Sequence, residues 1–493
     1  MAGMEKEGQG ITLLGLGPGD PGSLTRDAWH FLMGIDVLYL RTMHHPVVAD
    51  LPKHLELFSF DDIYQSHERF EDVYEAIIDR VLTLGKSPEG VAYAVPGHPF
   101  VAETTCPEIY RRAKEKSIPV RVIDGLSFLE PTFSALGLDP FPNLVCVDAL
   151  EIASAQTPQF PPSSPALIAQ IYSRMVASDV KLSLMNVYPD EHPVKLIHGA
   201  GTYEVKVEEL SLFEIDHSEH LGLLSSLFVP PLSAYSSFES FQEIIARLRS
   251  PDGCPWDREQ THESLRPFLL EEAYETLDAL DRQDMTDLQE ELGDLFLQIL
   301  LHAQIANEDG DFNIHHVIEG IGRKLVRRHP HVFAEASVDD VTGVIRKWEQ
   351  IKAEERYENG DEGKKGLLDG VPKALPALSQ AEEIIERTGR VGFDELLKKG
   401  DPEQLGNMIA AFDQVEDGER DKLLEEILLG AAALAYQSGL DAESALREAL
   451  AKFRMRFSLM ESFALEMGDE LVGMSDERKE ELWRKAGENM GDD

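Results

Sequence analysis

The chain has 493 residues, of which 43% are hydrophobic, and at about 100–200 residues per domain this length predicts several domains. Its 90 acidic residues outnumber 46 basic ones, and the net charge of −44 disfavours nucleic acid as a partner because a phosphate backbone would be repelled. Since no apolar run reaches the ~18–20 residues of a membrane helix, we expect no membrane association. Three cysteines without metal-type spacing, and an N-terminus unlike a signal peptide, favour a cytoplasmic location.

Residues 1–235 are predicted to form an α/β domain. Apolar, strand-like runs alternate there with helix-like segments or polar loops, which is typical of a largely parallel sheet. The Pro- and Ser-rich stretch 154–165 indicates an internal linker. We therefore expect two α/β lobes, at about residues 10–150 and 165–230.

The remainder of the chain is predicted to be all-α, because helical periodicity replaces the strand signals from about residue 236. A loop rich in Gly, Lys, Asp and Glu at 358–366 separates a first segment, 236–357, from a second, 370–490. The second segment repeats the order of elements of the first, which indicates an internal duplication. Chance resemblance between amphipathic helices is the alternative.

Two acidic motifs lie in the first helical segment. Residues three or four apart share one helix face, so Glu272 is paired with Glu275 and Glu291 with Asp294. Asp287 is the expected N-terminal cap of the second helix. A short connection makes the two helices antiparallel neighbours, so their acidic faces can meet. The motifs contain six acidic residues: Glu271, Glu272, Glu275, Glu290, Glu291 and Asp294.

Carboxylates that meet in this way repel one another and raise their own pKa values, and a hard divalent cation with oxygen ligands removes the conflict. Apolar residues such as Leu269 and Phe296 flank the motifs, which is unusual for a solvated face. An ordinary solvated acidic face remains the alternative. A magnesium site would favour a phosphate ester or anhydride as substrate and a metal-activated water as nucleophile.

The two acidic motifs, with C-P-W-D at 254–257, K-L-V-R-R-H-P-H-V-F at 324–333 and W-E-Q-I-K at 348–352, resemble the MazG family of nucleoside triphosphate pyrophosphohydrolases. The resemblance implies an all-α enzyme that cleaves NTP or dNTP to the monophosphate and pyrophosphate. Glu271 and Glu290 would lie close to substrate or metal-bound water as further catalytic residues. By motif position, the implied ligands of Mg²⁺, or alternatively Mn²⁺, are Glu272, Glu275, Glu291 and Asp294.

Five further residues of this segment are candidates for substrate binding. Lys324, Arg327 and Arg328 lie on one helical stretch and would neutralise a triphosphate, with ordinary surface salt bridging as the alternative. Trp256 and Trp348 could stack on a base, and core packing is the equal alternative.

The second helical segment departs from the family pattern. Ala411, Gln414 and Leu429 stand where three of the four metal ligands are expected, and only Glu426 remains. We expect this repeat to be degenerate and to serve packing, dimerisation or nucleotide sensing. The active site should then be confined to the first repeat, in a homodimer formed through the MazG helices.

Three glycine-containing loops follow predicted strands in the N-terminal domain: G-L-G-P-G-D-P-G at 15–22, V-P-G-H-P at 95–99 and D-G-L-S-F at 124–128. Glycine lets a ligand approach backbone N–H groups, and loops at strand ends can line one crevice. The set resembles the tetrapyrrole (corrin/porphyrin) methylase family, which implies S-adenosylmethionine as cofactor. The candidate cofactor-binding residues are Gly15, Gly17, Gly19, Gly97, His98 and Ser127.

Two residues depart from the methylase pattern. His98 replaces the usual Asp of the second loop, and Arg41 places a positive charge where substrate is usually held, so no methyl acceptor is assigned. The fusion of both domains resembles YabN-type bacterial proteins. The alternative function is that of an S-adenosylmethionine-dependent methyltransferase whose helical part serves dimerisation or nucleotide sensing.

Overall fold

A computed structural model of the chain describes residues 10–67, 69–334, 340, 343–344, 347–348, 350–351, 354–355, 366–415 and 417–491. The chain divides into two compact units between Arg258 and Glu259. The sequence predicted this boundary near residue 235, so residues 236–258 belong with the N-terminal unit instead. Of the loop predicted at 358–366, only Gly366 is among the described residues. Residue 357, the predicted end of the first helical segment, also lies outside them.

The first lobe of the N-terminal unit is built on a five-stranded sheet in the order β3-β2-β4-β1-β5, with every neighbouring pair parallel. Leu13 and Tyr93 face one core, and Leu14 and Ala94 face another, because both sides of a parallel sheet are covered. The strands are β1 (Ile11–Gly15), β2 (Val37–Leu40), β3 (Glu56–Ser59), β4 (Val91–Val95) and β5 (Val120–Ile123). The helices are α1 (Arg26–Leu32), α2 (Asp61–Ser66), α3 (Phe70–Leu84), α4 (Thr105–Glu115) and α5 (Leu129–Leu136), with 3₁₀ turns at Pro21–Ser23 and Pro46–Asp50.

The second lobe contains a mostly antiparallel sheet in the order β6-β7-β10-β8-β9, in which only β6 and β7 pair in parallel. Because β6 precedes the predicted linker 154–165 and pairs with β7 after it, that stretch lies inside the second lobe. The lobe boundary therefore falls before Val145. The strands are β6 (Val145–Asp148), β7 (Ala166–Ala169), β8 (Pro193–His198), β9 (Lys206–Ser211) and β10 (Ser225–Val229). The helices are α6 (Ala149–Ser154) and α7 (Arg174–Met185), with a 3₁₀ helix at Leu212–His217.

In the rest of the chain, every secondary-structure element that the structure describes is a helix. Helices α8 (Phe238–Leu248) and α9 (Pro255–Glu259) precede the first MazG-like repeat. That repeat contains α10 (His262–Arg282), α11 (Met285–Asp309), α12 (Ile314–Arg328) and α13 (Pro330–Phe333). The later helices are α14 (Ala377–Arg390), α15 (Glu395–Lys398), α16 (Pro402–Ala411), α17 (Asp417–Gln437), α18 (Ala442–Glu466) and α19 (Asp476–Met490), with a 3₁₀ turn at Phe412–Gln414. No helix among the described residues is long and apolar enough to cross a membrane.

Helices α10 and α11 form an antiparallel hairpin. Gln283, at φ 55° in the left-handed region, ends α10, and the Asp284 side chain begins α11 by accepting hydrogen bonds from the backbone N–H of Thr286 and Asp287. The cap is therefore Asp284 and not the predicted Asp287. The two-residue connection fixes which residues of the two helices face each other.

Candidate active site

Three of the four predicted metal ligands converge at the α10–α11 hairpin. Glu272 and Glu275 come from α10 and Glu291 from α11, and one carboxylate oxygen of each lies within 4.8 Å of the others. Asp294, one turn beyond Glu291, lies close enough for its charge to act on both Glu272 and Glu291. The hairpin thus joins the two acidic motifs in one cluster.

The electrostatics of this cluster favour a bound cation. Burial, followed by the charges of Asp294, Glu275 and Glu291, raises the pKa of Glu272 above its usual value. Burial, followed by Glu275, Asp287 and Asp294, does the same to the pKa of Glu291. The Oε2 atom of Glu291 is buried and accepts no hydrogen bond from the residues that the structure describes. A hard divalent cation with oxygen ligands fits this set, because it would neutralise the repulsion and satisfy the buried oxygen.

The remaining acidic residues lie at the margin of the cluster. Glu271 and Glu290 are exposed, and each adds a smaller repulsive contribution, Glu271 to the pKa of Glu272 and Glu290 to that of Glu291. Apolar side chains do flank the cluster, but in the single chain many are solvent-exposed, with Leu270 57% and Leu292 50% accessible. The acidic cluster therefore sits within an exposed apolar surface.

The predicted basic residues line a separate cleft of about 390 Å³, which we call the basic cleft; its described walls are Arg323, Lys324, Arg327, Arg328 and Glu355. None of the six acidic motif residues lines it, as far as the structure describes the chain. Three predicted phosphate-binding residues are thus brought together, with Arg323 as an addition that the sequence did not predict.

The two predicted base-stacking tryptophans are placed differently. The ring of Trp348 packs on Arg328, with the guanidinium carbon 5.6 Å from the ring centroid. Trp256 lies on α9 in the N-terminal unit and is half exposed. Neither position assigns a base-stacking role, so that role stays a prediction.

The second repeat holds its surviving carboxylate differently. The Lys399 ammonium forms an ion pair and hydrogen bond with Glu426, the residue that aligns with Glu291. In this repeat Arg456 lies 4.5 Å from the Trp483 ring centroid, which parallels Arg328 on Trp348. The arrangement supports a duplication in which a lysine ammonium neutralises the remaining acid. Lys399 lies outside the aligned motifs, so sequence comparison did not find it.

The glycine loops of the N-terminal domain meet at the carboxyl ends of β1, β4 and β5. Gly17 and Gly97 exchange backbone hydrogen bonds of 3.1 Å and 2.8 Å. A Cβ on Gly15 would lie 2.5 Å from the backbone N of Gly125, and one on Gly125 would lie 2.3 Å from the carbonyl O of Gly97. Gly15 and Gly125 are thus required for the loops to pack on each other, whereas the sequence suggested ligand approach as their purpose.

The other predicted cofactor residues support these loops. His98 Nδ1 accepts a 3.0 Å hydrogen bond from the backbone N of Phe100, and Ser127 Oγ donates one of 2.6 Å to Glu130. Gly19 adopts φ 145°, and a Cβ there would meet the Thr202 side chain at 3.0 Å. The structure therefore places all six predicted residues at the carboxyl end of β1 or in the loops that follow β1, β4 and β5.

Arg41, predicted to offer a positive charge to a substrate, is instead neutralised. Its guanidinium forms an ion pair with Glu103, whose side chain is only 2% exposed, and its Nε donates a 3.0 Å hydrogen bond to the Tyr64 hydroxyl. Burial lowers the pKa of Arg41, but Glu103 together with Tyr64 and Tyr93 more than compensates, so that pKa ends above its usual value. Because Glu103 is distant in sequence, the pair could not be predicted.

Two protein families match this chain, one within each of its two compact units. Residues 10–216 match the tetrapyrrole (corrin/porphyrin) methylases, and residues 260–333 match the MazG nucleotide pyrophosphohydrolase domain. The protein therefore combines a methylase-type α/β domain with a MazG-type helical region, as the sequence predicted.

Relatives in several bacteria share one or both parts. YabN of Bacillus subtilis is 40% identical over 97% of this chain and 98% of its own length. The nucleoside triphosphate pyrophosphohydrolase of Escherichia coli K12 is 39% identical over 49% of this chain and 94% of its own length. The nucleoside triphosphate pyrophosphohydrolase/pyrophosphatase MazG of Thermotoga maritima is 39% identical over 50% of this chain and 95% of its own length. The chain thus belongs to the YabN family, in which a tetrapyrrole methylase domain is fused to a MazG domain.

Proposed function

We propose that this protein hydrolyses nucleoside triphosphates to nucleoside monophosphates and pyrophosphate, with Mg²⁺, at the first repeat. The observation that carries the proposal is the convergence of Glu272, Glu275 and Glu291 on one point between α10 and α11. Relatives named as nucleoside triphosphate pyrophosphohydrolases support it, because they match about half of the chain.

The side chains of the first repeat suit this reaction. Glu272, Glu275, Glu291 and Asp294 would hold Mg²⁺, which when bound supplies charge neutralisation at the phosphates and lowers the pKa of a bound water. Lys324, Arg327 and Arg328 would bind the phosphates, since guanidinium and ammonium groups form strong charge-assisted hydrogen bonds with phosphate oxygens. Glu271 and Glu290, exposed beside the cluster, would orient the attacking water and accept its proton.

A product assay tests the proposal. The purified chain is incubated with each NTP and dNTP and with Mg²⁺, Mn²⁺ or EDTA, and the products are resolved by anion exchange. We expect monophosphate and pyrophosphate in equal amounts, and none in EDTA. Release of inorganic phosphate and diphosphate instead, or turnover unaffected by EDTA, would refute the proposal.

We also propose that the N-terminal domain binds S-adenosylmethionine. The loops after β1, β4 and β5 meet at one edge of the sheet, where α/β proteins commonly bind ligands. Calorimetry of the full chain with S-adenosylmethionine should show saturable heat and a higher melting temperature. If the titration released no heat and the melting temperature did not change, the proposal that this domain binds S-adenosylmethionine would be refuted.

The chain is further proposed to form a homodimer through the helices of the first repeat. Leu270, Leu292, Ile318 and Val326 are each about half exposed, on helices α10, α11 and α12. Exposed apolar surface of this kind is typical of interaction sites. Light scattering after gel filtration should give twice the chain mass, and a mass of one chain at micromolar concentration would count against it.

A further inference from the structure

Arg328 is held from two sides within the basic cleft. Its Nε donates a 3.1 Å hydrogen bond to Glu355 Oε2, and its Nη2 donates to the same oxygen. The guanidinium carbon also lies over the Trp348 ring, 5.6 Å from its centroid. The pair is largely shielded from water, with 11% of the Arg328 side chain and 17% of the Glu355 side chain exposed. A guanidinium that is bound by a carboxylate along one edge and lies over an aromatic ring has little freedom to rotate.

This arrangement leaves the other edge of Arg328 available. Glu355 occupies the edge formed by Nε and Nη2, and no described residue accepts a hydrogen bond from Nη1. The edge formed by Nη1 and Nη2 can therefore bind two oxygens of one phosphate, which is the geometry that arginine favours with phosphate. Lys324, Arg327 and Arg323 line the same cleft and add positive charge there.

We propose that Glu355 is a positioning residue, which orients Arg328 so that its free edge binds a substrate phosphate. The proposal rests on the function proposed above, since that function assigns the basic cleft to the phosphates. It adds a residue that neither acidic motif contains. Arg328, followed by Arg327 and Lys324, lowers the pKa of Glu355, so the carboxylate stays charged in this setting.

The second repeat provides an internal contrast. Arg456 keeps the contact with its tryptophan, but its Nε donates to the backbone oxygen of Trp483 at 3.0 Å. Seven residues after Trp348 stands Glu355, whereas seven residues after Trp483 stands Met490. The acidic partner of the arginine is thus present in the repeat that keeps the carboxylate cluster and absent from the equivalent position of the degenerate one.

Whether neutralising Glu355 strengthens or weakens anion binding distinguishes a positioning role from a simple effect of its charge. Removing a negative charge from an anion-binding cleft should strengthen anion binding, because Coulomb repulsion falls. If Glu355 positions Arg328, its neutralisation should instead weaken anion binding, because the guanidinium loses its fixed orientation. Glu354 is the matched control, as it is exposed, is adjacent in sequence, and accepts a 3.0 Å hydrogen bond from Gln350.

The test is calorimetric titration of the full chain with inorganic tripolyphosphate in metal-free buffer. Glu355→Gln should weaken binding about tenfold, as expected for loss of one oriented, charge-assisted contact. Glu354→Gln should leave binding unchanged or slightly tighter. Unaltered melting curves of both variants would show that the fold is retained, and Glu355→Asp should recover part of the affinity. Binding by Glu355→Gln that equals or exceeds that of the wild type would overturn the proposal.

A double-mutant cycle identifies the residue through which Glu355 acts. In an Arg328→Ala background, Glu355→Gln should no longer weaken tripolyphosphate binding. A full tenfold loss in that background would contradict the proposal, because Glu355 would then act elsewhere. A wild-type chain that releases no pyrophosphate, yet shows the predicted cycle, would refute the enzymatic function and leave the positioning role intact.

Discussion

The two MazG-like repeats have an acidic residue at the same position, Glu291 in the first and Glu426 in the second, but the surroundings of these two residues differ. In the first repeat a carboxylate oxygen of Glu291 lies within 4.8 Å of those of Glu272 and Glu275, and no donor in the described part of the chain reaches its buried Oε2. In the second repeat Ala411, Gln414 and Leu429 stand at the other three ligand positions, and Glu426 is paired with Lys399. A cluster of carboxylates needs an external cation, whereas a single carboxylate is satisfied by a lysine. The comparison teaches that a metal site depends on the complete set of ligands.

The largest expected effect comes from removing one ligand of the first repeat. Glu272→Ala or Asp294→Ala should reduce the rate of pyrophosphate release by about a thousandfold or more, because each removes a proposed metal ligand. Glu426→Ala, the equivalent change in the second repeat, should leave the rate within about twofold of wild type. The rates are measured at saturating NTP and Mg²⁺. If Glu426→Ala reduced the rate of pyrophosphate release as much as Glu272→Ala does, the two repeats would not differ in function as proposed.

Metal binding should also appear in the stability of the protein. Mg²⁺ at about a hundred times its dissociation constant should raise the melting temperature of the wild type by several degrees, because it binds only the folded cluster. The shift should disappear in Glu291→Gln and persist in Glu426→Gln, and EDTA should reverse it. A shift of equal size in Glu291→Gln would place the metal elsewhere.

Without metal, the same carboxylates should destabilise the fold. The pKa values of Glu272 and Glu291 are raised in the folded chain, mainly by burial and then by neighbouring acids. A carboxyl with a raised pKa adds stability below its unfolded value, usually 4.5, and loses it as the pH rises through the folded value. Glu272→Gln should therefore melt about 1–2 °C higher than wild type at pH 7 in EDTA.

This gain should shrink as the pH falls below the usual glutamate pKa, because the wild-type carboxyl is then protonated in both the folded and the unfolded state. Differential scanning calorimetry at several pH values gives the comparison. A gain that grows on acidification would contradict the assigned direction of the shift.

The smallest expected effect concerns the lysine of the second repeat. The Lys399–Glu426 pair is partly exposed, so Lys399→Ala should lower stability by no more than about 1 kcal/mol. Lys398→Ala, which removes a more exposed pair with Glu395, is the matched control and should have less effect. Neither change should alter pyrophosphate release. A large loss of activity in Lys399→Ala would contradict the expectation that the second repeat takes no part in catalysis.

Local patterns predicted much of this protein. Strand–helix alternation indicated the α/β domain, and helical periodicity the all-α region, because both depend on the spacing of apolar residues along the chain. The spacing of Glu272, Glu275 and Glu291 indicated their convergence, since two helices joined by a short turn must lie side by side. The helix cap was wrong by three residues, because both Asp284 and Asp287 are good capping residues.

Features that depend on distant partners could not be predicted. Glu103 neutralises Arg41, Lys399 pairs with Glu426 and Glu355 holds Arg328, and each contact joins residues far apart in sequence. The lobe boundary was misplaced for a related reason. Strand β6 pairs in parallel with β7 across a Pro-rich stretch that resembles a linker, and only the sheet pairing shows that both strands belong to one lobe.

The central claim is that one metal site per chain lies in the first repeat, and Mn²⁺ binding to the full chain tests it most directly. Electron paramagnetic resonance reports free Mn²⁺ during a titration and so yields the number and affinity of bound ions. The account predicts tight binding that is lost in a Glu272→Gln/Glu291→Gln double variant and unchanged in Glu426→Gln. Tight binding that survives in the double variant, or that is lost in Glu426→Gln, would contradict it.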